Sequence, residues 1–145
     1  MGVVISNRHS GSISGRYKKY FEDSITLSHT ASKGLKPDAV FDFISLSKLP
    51  NVLVEHLLNK TIKTFNSYKA NNIALDATTS EKLLKLFALY EKGLQIFGSS
   101  DEFNVWLGGQ AIGLGGLIPE TLLDTITGIN IVTEELTRIE YGDLA

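Results

Sequence analysis

Apolar residues recur at spacings of three and four along most of this chain, the period of amphipathic α-helices rather than of strands. A first helix is predicted over residues 24–32, with Gly34 at its end, and a second starts at Pro37. A third is predicted over residues 47–58, and a short fourth over residues 62–69. The residues predicted to face the core from the second and third helices are Val40, Phe41, Ile44, Leu49, Val52, Leu53 and Leu57. The pattern therefore predicts an all-α fold.

Two Ser/Thr-x-x-Glu spacings predict helix starts in the second half of the chain, because each side chain can cap a backbone donor of the other residue. Thr78 and Glu81 are expected to begin a long helix that ends near Phe97. Ser99 and Glu102 are expected to begin a short one. The core-facing residues of the long helix are predicted to be Leu83, Leu84, Leu86, Phe87, Tyr90, Leu94 and Phe97.

Five glycines between residues 108 and 116 predict a loop after the short helix. Within the short helix, Trp106 is interpreted as a core side chain, and a role in binding is the alternative. The loop follows a helix, lacks lysine and fits neither the GxGxxG nor the P-loop spacing, so loop geometry explains its glycines better than phosphate binding. Pro119 is expected to open a short helix, and Gly128 to separate it from a last amphipathic helix that ends at Gly142. The apolar sides of these two helices are predicted to be Leu122, Leu123 and Ile126, then Ile129, Val132, Leu136 and Ile139.

The charges of the chain separate along its length. Residues 1–98 contain 13 Lys/Arg and 8 Asp/Glu, whereas residues 99–145 contain 1 Lys/Arg and 8 Asp/Glu. A basic first part and an acidic second part indicate two different partners, with a chance distribution as the alternative. The absence of cysteine excludes disulfides and cysteine-ligated zinc. Because no apolar run is long enough to span a bilayer and no signal-peptide pattern is present, we expect a cytoplasmic protein with no membrane partner.

The third and fourth helices are separated by a short break, which is the spacing of a helix-turn-helix. The fourth helix is short, polar and basic, and Ile62, Phe65 and Tyr68 form its predicted buried side. The residues predicted to contact DNA phosphates and base edges are Thr61, Lys63, Thr64, Asn66, Ser67 and Lys69. An amphipathic surface helix with no DNA partner explains the same pattern equally well.

No group of residues in the sequence indicates catalysis. The three histidines are far apart, and none has the neighbour spacing of a metal site. The adjacent acids Asp101-Glu102 and Glu134-Glu135 do not share a helix face and are interpreted as capping or solvent-facing residues. We therefore predict no catalytic residue, no metal site and no cofactor, and we do not expect the protein to be an enzyme.

The last third of the chain contains a succession of short motifs: Phe97-Gly98, Trp106-Leu107, Gly115-Gly116-Leu117-Ile118-Pro119, Leu122-Leu123, Gly128, and Leu136 through Gly142. Their order resembles the toxin-binding domain of the Xre/MbcA/ParS antitoxin family. Residues 58–69 also resemble the Xre-type segment of that family, with Asn59 in place of its turn glycine and Thr61 in place of its serine. Asparagine tolerates the left-handed conformation and threonine still caps a helix, so both departures are compatible with the fold.

The resemblance implies an antitoxin whose partner is a RES-domain toxin, an enzyme that consumes NAD or transfers a group from it. In that family the C-terminal segment of the antitoxin blocks the toxin's active-site cleft. The corresponding toxin-binding residues here are Arg138, Ile139, Glu140, Tyr141, Gly142, Asp143, Leu144 and Ala145. Operator DNA is the second implied partner, and a homodimer within a larger toxin–antitoxin complex is the expected assembly.

The predicted organisation is a flexible basic arm over residues 1–23, an Xre-like helix-turn-helix domain over 24–78, a connecting helix over 79–98, and a small helical toxin-binding domain over 99–145. Arm cations that contact phosphates and an arm that is only a solvated tail are both compatible with the composition of residues 1–23. The alternative function is a DNA-binding regulator with an acidic dimerisation domain and no toxin partner.

Overall fold

The computed structural model describes residue 13 and residues 15–142. Every regular element within that range is helical, which confirms the all-α prediction. The elements in order are α1 (residues 15–21), α2 (Ser24–Lys33), α3 (Asp38–Ser47), α4 (Asn51–Leu58), α5 (Ile62–Ala70), α6 (Ala77–Phe97), α7 (Ser100–Leu107), two short 3-10 helices η1 (Ile112–Leu114) and η2 (Pro119–Leu122), and α8 (Ile126–Glu140).

The chain forms two compact units, unit 1 (Met1–Ala88) and unit 2 (Leu89–Ala145), and the division falls inside α6. The sequence-based organisation assigned residues 79–98 to a separate connecting helix, whereas the structure divides that helix between the two units. Unit 1 carries 12 Lys/Arg and 7 Asp/Glu, and unit 2 carries 2 Lys/Arg and 9 Asp/Glu. The separation of charge seen in the sequence therefore coincides with the division of the structure.

Part of the predicted flexible arm is helical, since α1 lies within residues 1–23. Tyr17 is buried and stacks on Phe87, with ring centroids 4.2 Å apart, and its hydroxyl donates to the Asp42 carboxylate at 2.5 Å. Burial, followed by this hydrogen bond, raises the pKa of Tyr17 well above its usual value. Sequence periodicity did not predict this helix, because residues 15–21 form a short, basic stretch in which Tyr17 alone is buried. Residues 1–12 and 14, including Arg8, lie outside the described residues.

The core of unit 1 uses a different face of α3 from the predicted one. Phe43 is fully buried and packs edge-on against Phe87, whereas Phe41 and Ile44 are only half-buried. The predicted third helix is also shorter, because Lys48 adopts a left-handed conformation that ends α3, and α4 begins at Asn51. Val52, predicted to face the core, is instead 76% exposed. Buried residues from this region are Ala39, Val40, Phe43, Leu46, Leu49, Val54, Leu57 and Leu58.

The start of α6 is capped by Asp76 instead of the predicted Thr78. The Asp76 carboxylate accepts from the Thr79 backbone N–H at 3.1 Å and from the Thr79 hydroxyl at 2.7 Å. These hydrogen bonds from Thr79, with a further contribution from the Lys60 ammonium 3.1 Å away, lower the pKa of Asp76 to about 2. An aspartate cap and a threonine cap satisfy the same backbone donors, so the sequence indicated the right region but the wrong residue.

The core of unit 2 depends on two glycines that allow close approach. Phe103 is fully buried, and a Cβ at Gly93 would lie 2.4 Å from its ring. Gly128 is a buried residue within α8 rather than the predicted separator before it, and a Cβ there would lie 1.7 Å from the Leu122 carbonyl oxygen. The helix is instead capped by Thr125, whose hydroxyl accepts from the Gly128 N–H at 2.9 Å. Gly128 is therefore required by packing and does not end a helix.

Candidate functional sites

The C-terminal end of α8 presents a mixture of fixed and exposed side chains. The buried stripe of this helix is Ile129, Val132 and Leu136, as the sequence predicted. Of the residues predicted to contact a partner, Ile139 is half-buried and Tyr141 is 76% exposed. The backbone remains regular to this point, since the Tyr141 N–H donates to the Thr137 carbonyl at 3.1 Å. The predicted contact residues Asp143, Leu144 and Ala145 lie outside the described residues.

The Arg138 guanidinium is held by a buried carboxylate on the same helix. Its Nε and Nη2 atoms donate to Oε1 of Glu135 at 2.9 and 2.8 Å. The Glu135 side chain is 1% exposed, whereas that of Arg138 is 42% exposed. A buried carboxylate is costly unless it is paired, so this contact both compensates Glu135 and restricts the orientation of Arg138. The sequence interpretation of Glu135 as a solvent-facing acid was wrong, although its i,i+3 spacing to Arg138 was an available signal.

A second ion pair fixes the last turn of α8 within unit 2. The Lys92 Nζ lies 3.1 Å from Oε1 of Glu140, one of the predicted contact residues. Both side chains are partly exposed, so the pair contributes modestly to stability. Its structural effect is to hold the helix against the end of α6 up to the residue before Tyr141. The exposed Tyr141 side chain therefore extends from the end of a regular helix.

Trp106 belongs to an aromatic cluster and is not its most buried member. Phe103 is fully buried, while Trp106 and Phe97 are half-buried. The rings of Trp106 and Phe103 stack with centroids 6.0 Å apart, and Phe97 lies 5.6 Å from Trp106. The prediction of a core tryptophan is therefore correct only in part, because one side of the indole packs inward and the rest is accessible.

The glycine-rich segment forms a closed loop with apolar side chains directed outward. The Ala111 N–H donates to the Leu117 carbonyl at 3.0 Å, and the Gly116 N–H donates back to the Ala111 carbonyl at 2.9 Å. Gly116 has a φ of 85°, a conformation that favours glycine. Ile112 is 91% exposed and Leu117 is 54% exposed. Exposed apolar side chains within one loop indicate an interaction surface. The sequence did not predict it, because glycines at this density indicate a loop but not which side chains it exposes.

The helices α4 and α5 are joined by the short break that the sequence predicted, over residues 59–61. Asn59 takes the left-handed conformation expected of it, with φ 55°. The Thr61 hydroxyl accepts from the Thr64 N–H at 3.2 Å and lies 3.1 Å from the Thr64 hydroxyl. Thr61 therefore caps α5 as predicted. Phe65 is fully buried, in agreement with the predicted inner side of α5.

The residues predicted to contact DNA fall into two groups. Lys63, Asn66 and Ser67 are exposed and, at spacings of three and four, lie on one face of α5. Thr61 and Thr64 use their hydroxyls in the cap. Lys69 lies 3.9 Å from an Asp38 carboxylate oxygen, an ion pair of two largely exposed side chains. Of the six residues predicted to contact DNA, three therefore share one exposed face of α5.

The chemistry of the described residues and the similarity of the chain to known proteins both bear on function. Among the described residues, no group of three acids or histidines is placed to hold a metal, and no helix has the length and apolar character needed to cross a membrane. Residues 92–142 match the family model of the antitoxin Xre/MbcA/ParS C-terminal toxin-binding domain. The chain is also 30% identical over 122 residues to the Prs ADP-ribosylating antitoxin of Sphingobium sp. (strain YBL2), a match that covers 78% of this chain and 77% of that protein. The chain belongs to the Xre/MbcA/ParS antitoxin family.

The family match indicates a toxin as the partner of unit 2. The matched range starts near the end of α6 and includes α7, the glycine-rich loop and α8 up to Gly142. A match to a toxin-binding domain indicates a toxin as partner, which disfavours the alternative of a regulator with no toxin. The exposed loop residues Ile112 and Leu117 and the end of α8 both belong to the matched range.

Proposed function

We propose that this antitoxin neutralises a RES-type, NAD-consuming toxin by placing its C-terminal segment, from Arg138 to Ala145, in the toxin's active-site cleft. The observation that carries the proposal is the end of α8, where a fixed guanidinium adjoins an exposed aromatic side chain. Arg138 is oriented by Glu135, and Tyr141 projects from the last turn with 76% of its surface exposed. Prearranged groups bind with a smaller entropic cost than mobile ones.

Charge also supports this proposal. A cleft that holds NAD must accommodate a pyrophosphate, for which cationic side chains are the usual ligands. Unit 2 carries 9 Asp/Glu against 2 Lys/Arg, so its surface complements such a cleft. The name of the Sphingobium relative associates it with ADP-ribosylation, a reaction that uses NAD as the donor. The same chemistry in the partner of this antitoxin would account for an acidic toxin-binding domain.

The proposal is tested by shortening the chain after Ile139 and measuring NAD consumption by the purified toxin. The missing residues, Glu140 to Ala145, are terminal and should matter little for folding. We expect the shortened antitoxin to remain helical by circular dichroism but to leave the toxin active. Tyr141→Ala should weaken inhibition by at least tenfold, because exposed aromatic side chains are frequent hot spots of interfaces.

Ile25→Ala is a matched control, because Ile25 is 83% exposed in unit 1, outside the toxin-binding domain. It should inhibit the toxin as the unmodified antitoxin does. Full inhibition by the shortened chain would assign neutralisation to another surface, of which the exposed Ile112 and Leu117 are the first to examine.

We also propose that the antitoxin acts as a homodimer that represses its own operon, with α5 entering the major groove. Lys63, Asn66 and Ser67 share the exposed face of α5, and these residue types bond phosphates and base edges. A two-fold dimer would present two such helices to a palindromic operator. Lys63→Ala should weaken binding to the DNA upstream of the operon, and an unchanged affinity would place the DNA-binding face elsewhere.

A further inference from the structure

Unit 1 contains a surface cleft that no part of the proposed toxin contact uses. Its volume is about 640 Å³, and it is bounded by α1, the end of α2 and the start of α3. The charged and aromatic side chains that line it include Arg16, Tyr17, Lys19, Tyr20, Lys33 and Lys36. We refer to it as the basic cleft. Its four cations come from two stretches of the chain, α1 and the end of α2 with the residues that follow it, and folding brings these two stretches together.

The acids of the basic cleft are already engaged, which leaves a net positive lining. Asp42 accepts from the Tyr17 hydroxyl at 2.5 Å and lies 3.6 Å from the Arg16 guanidinium. Asp38 is the partner of Lys69. Lys33 and Lys36 are exposed and make no ion pair within the described part of the chain. An anion would therefore find two uncommitted ammonium groups, separated in sequence by only Gly34 and Leu35.

The basic cleft is continuous with α5 through one contact. Asp38 lines the cleft, and the Lys69 Nζ lies 3.9 Å from its carboxylate. The same Nζ lies 5.6 Å from the centroid of the Phe41 ring on α3, so the end of α5 rests against the start of α3. A strand of DNA that follows α5 past Lys69 would next meet the start of α3 and the lysines of the cleft.

We propose that the basic cleft binds the phosphodiester backbone of the DNA whose groove α5 occupies, with Lys33 and Lys36 as its principal phosphate ligands. The inference rests on the proposed DNA binding and extends it to a surface outside the helix-turn-helix. Phosphate contacts fix the register of a protein on DNA without reading bases. Such a contact would compensate for an α5 whose exposed face offers a single uncommitted lysine among the described residues, Lys63.

The experiment measures binding of the full chain to a DNA fragment from upstream of its own coding region, across a series of salt concentrations. We expect Lys33→Ala/Lys36→Ala to lower affinity roughly ten- to thirtyfold at physiological salt and to reduce the slope of log affinity against log salt by about 1.8, because each phosphate contact contributes about 0.9. Since both lysines are exposed, the melting temperature should not change. The slope is informative because a merely structural effect would not alter it in this way.

Two single variants make the test specific. Lys19→Ala should weaken DNA binding, whereas Lys18→Ala should not, because these neighbours carry the same charge on α1 but only Lys19 lines the cleft. Equal effects of the two would show general electrostatic attraction and overturn the proposal. Protection of the protein against thermal unfolding by inorganic pyrophosphate, lost in the Lys33→Ala/Lys36→Ala variant while DNA affinity stays unchanged, would assign the cleft to a free phosphate compound instead.

The same binding measurements distinguish the contribution of the basic cleft to DNA binding from that of α5. If Lys63→Ala weakens DNA binding and Lys33→Ala/Lys36→Ala does not, the cleft proposal is wrong and α5 stands. The reverse result would retain the cleft and reject α5. An unmodified protein that binds no DNA overturns both, and leaves toxin neutralisation to be judged by its own assay.

Discussion

The two units of this antitoxin differ in what they expose. Unit 1 exposes cations, on the face of α5 and around the basic cleft, and it has 12 Lys/Arg against 7 Asp/Glu. Unit 2 has 9 Asp/Glu against 2 Lys/Arg and also exposes apolar side chains, of which Ile112 and Tyr141 are the most accessible. Because unit 1 also exposes the apolar side chains of Ile25 and Val52, the units differ in the sign of their exposed charge and not in apolar exposure as such. An excess of cations suits a polyanion, whereas an excess of acids suits a basic protein cleft. The difference in charge agrees with the proposal that unit 1 binds DNA while unit 2 binds the toxin.

Gly128→Ala should have the largest effect on the difference between the units, because it should unfold unit 2. The added Cβ would lie 1.7 Å from the Leu122 carbonyl oxygen, and neither backbone can move without displacing α8 or η2. We expect a loss of more than about 3 kcal/mol of stability, in the range of severe core changes. Chemical unfolding followed by circular dichroism would measure it. Gly109→Ala is the control, because its Cβ would meet only ordinary contacts at 3.6 Å.

If specialisation is strict, Gly128→Ala should abolish toxin inhibition and leave DNA binding by unit 1 largely intact. Loss of both activities would show that folding of the two units is coupled and that their functions cannot be separated by mutation.

Glu135→Gln should test whether the orientation of Arg138 matters for toxin binding by unit 2, beyond the net charge of that unit. The amide keeps the shape of the side chain but removes the charge that holds Arg138, at a cost of about 1–3 kcal/mol for a buried charged hydrogen bond. We expect inhibition of the toxin to weaken by about tenfold, measured as a shift in the inhibition curve for NAD consumption. Glu134→Gln is the matched control, since Glu134 is the exposed neighbour on the same helix. Equal effects of the two variants would mean that only the net charge of unit 2 matters.

Asp76→Asn should have the smallest effect, and it acts on unit 1. The pKa of Asp76 is lowered to about 2 by its hydrogen bonds with Thr79. A carboxyl with a depressed folded-state pKa adds stability above its unfolded value of about 4, and this contribution is lost as the pH falls towards 2. Because the side chain is 52% exposed, the difference at pH 7 should be below about 1 kcal/mol.

Thermal unfolding of the unmodified chain and of Asp76→Asn, compared from pH 7 to pH 2, would measure this contribution. The curves should converge at the acid end. A constant difference over the whole range would show that the capping geometry, and not the charge, stabilises α6.

Sequence reasoning found what local chemistry determines. Ser99 and Thr61 cap α7 and α5 as predicted, because the relevant donors lie within three residues of the hydroxyl. The predictions were wrong where a contact between residues distant in sequence determines which side chain is buried. Phe43 faces inward because Phe87 is there to meet it, and Gly128 is buried because the Leu122 carbonyl approaches it. Neither fact is visible in a periodicity of three or four.

The candidate site was predictable to a similar degree. The motifs at the end of the chain led to the correct family, whereas the toxin-contact residues at the end of α8 stay a prediction. The same motifs did not indicate that Arg138 has a buried partner. Burial of Glu135 depends on how α8 packs within unit 2, which an acidic residue in a sequence does not reveal. The basic cleft was not predicted either, because its cations on α1 and those around the end of α2 are brought together only by folding.

The division of the chain inside α6 determines how the two units can be studied apart. Phe87 packs against Tyr17 and Phe43 in one unit, and Tyr90, three residues later, packs against Phe103 in the other. A fragment that stopped at residue 88 would place Phe87 in the last, fraying turn of its helix, and one that started at residue 89 would do the same to Tyr90. Dissection by limited proteolysis should find no linker to cut there. Recombinant halves should therefore overlap, with residues 77–97 included in both.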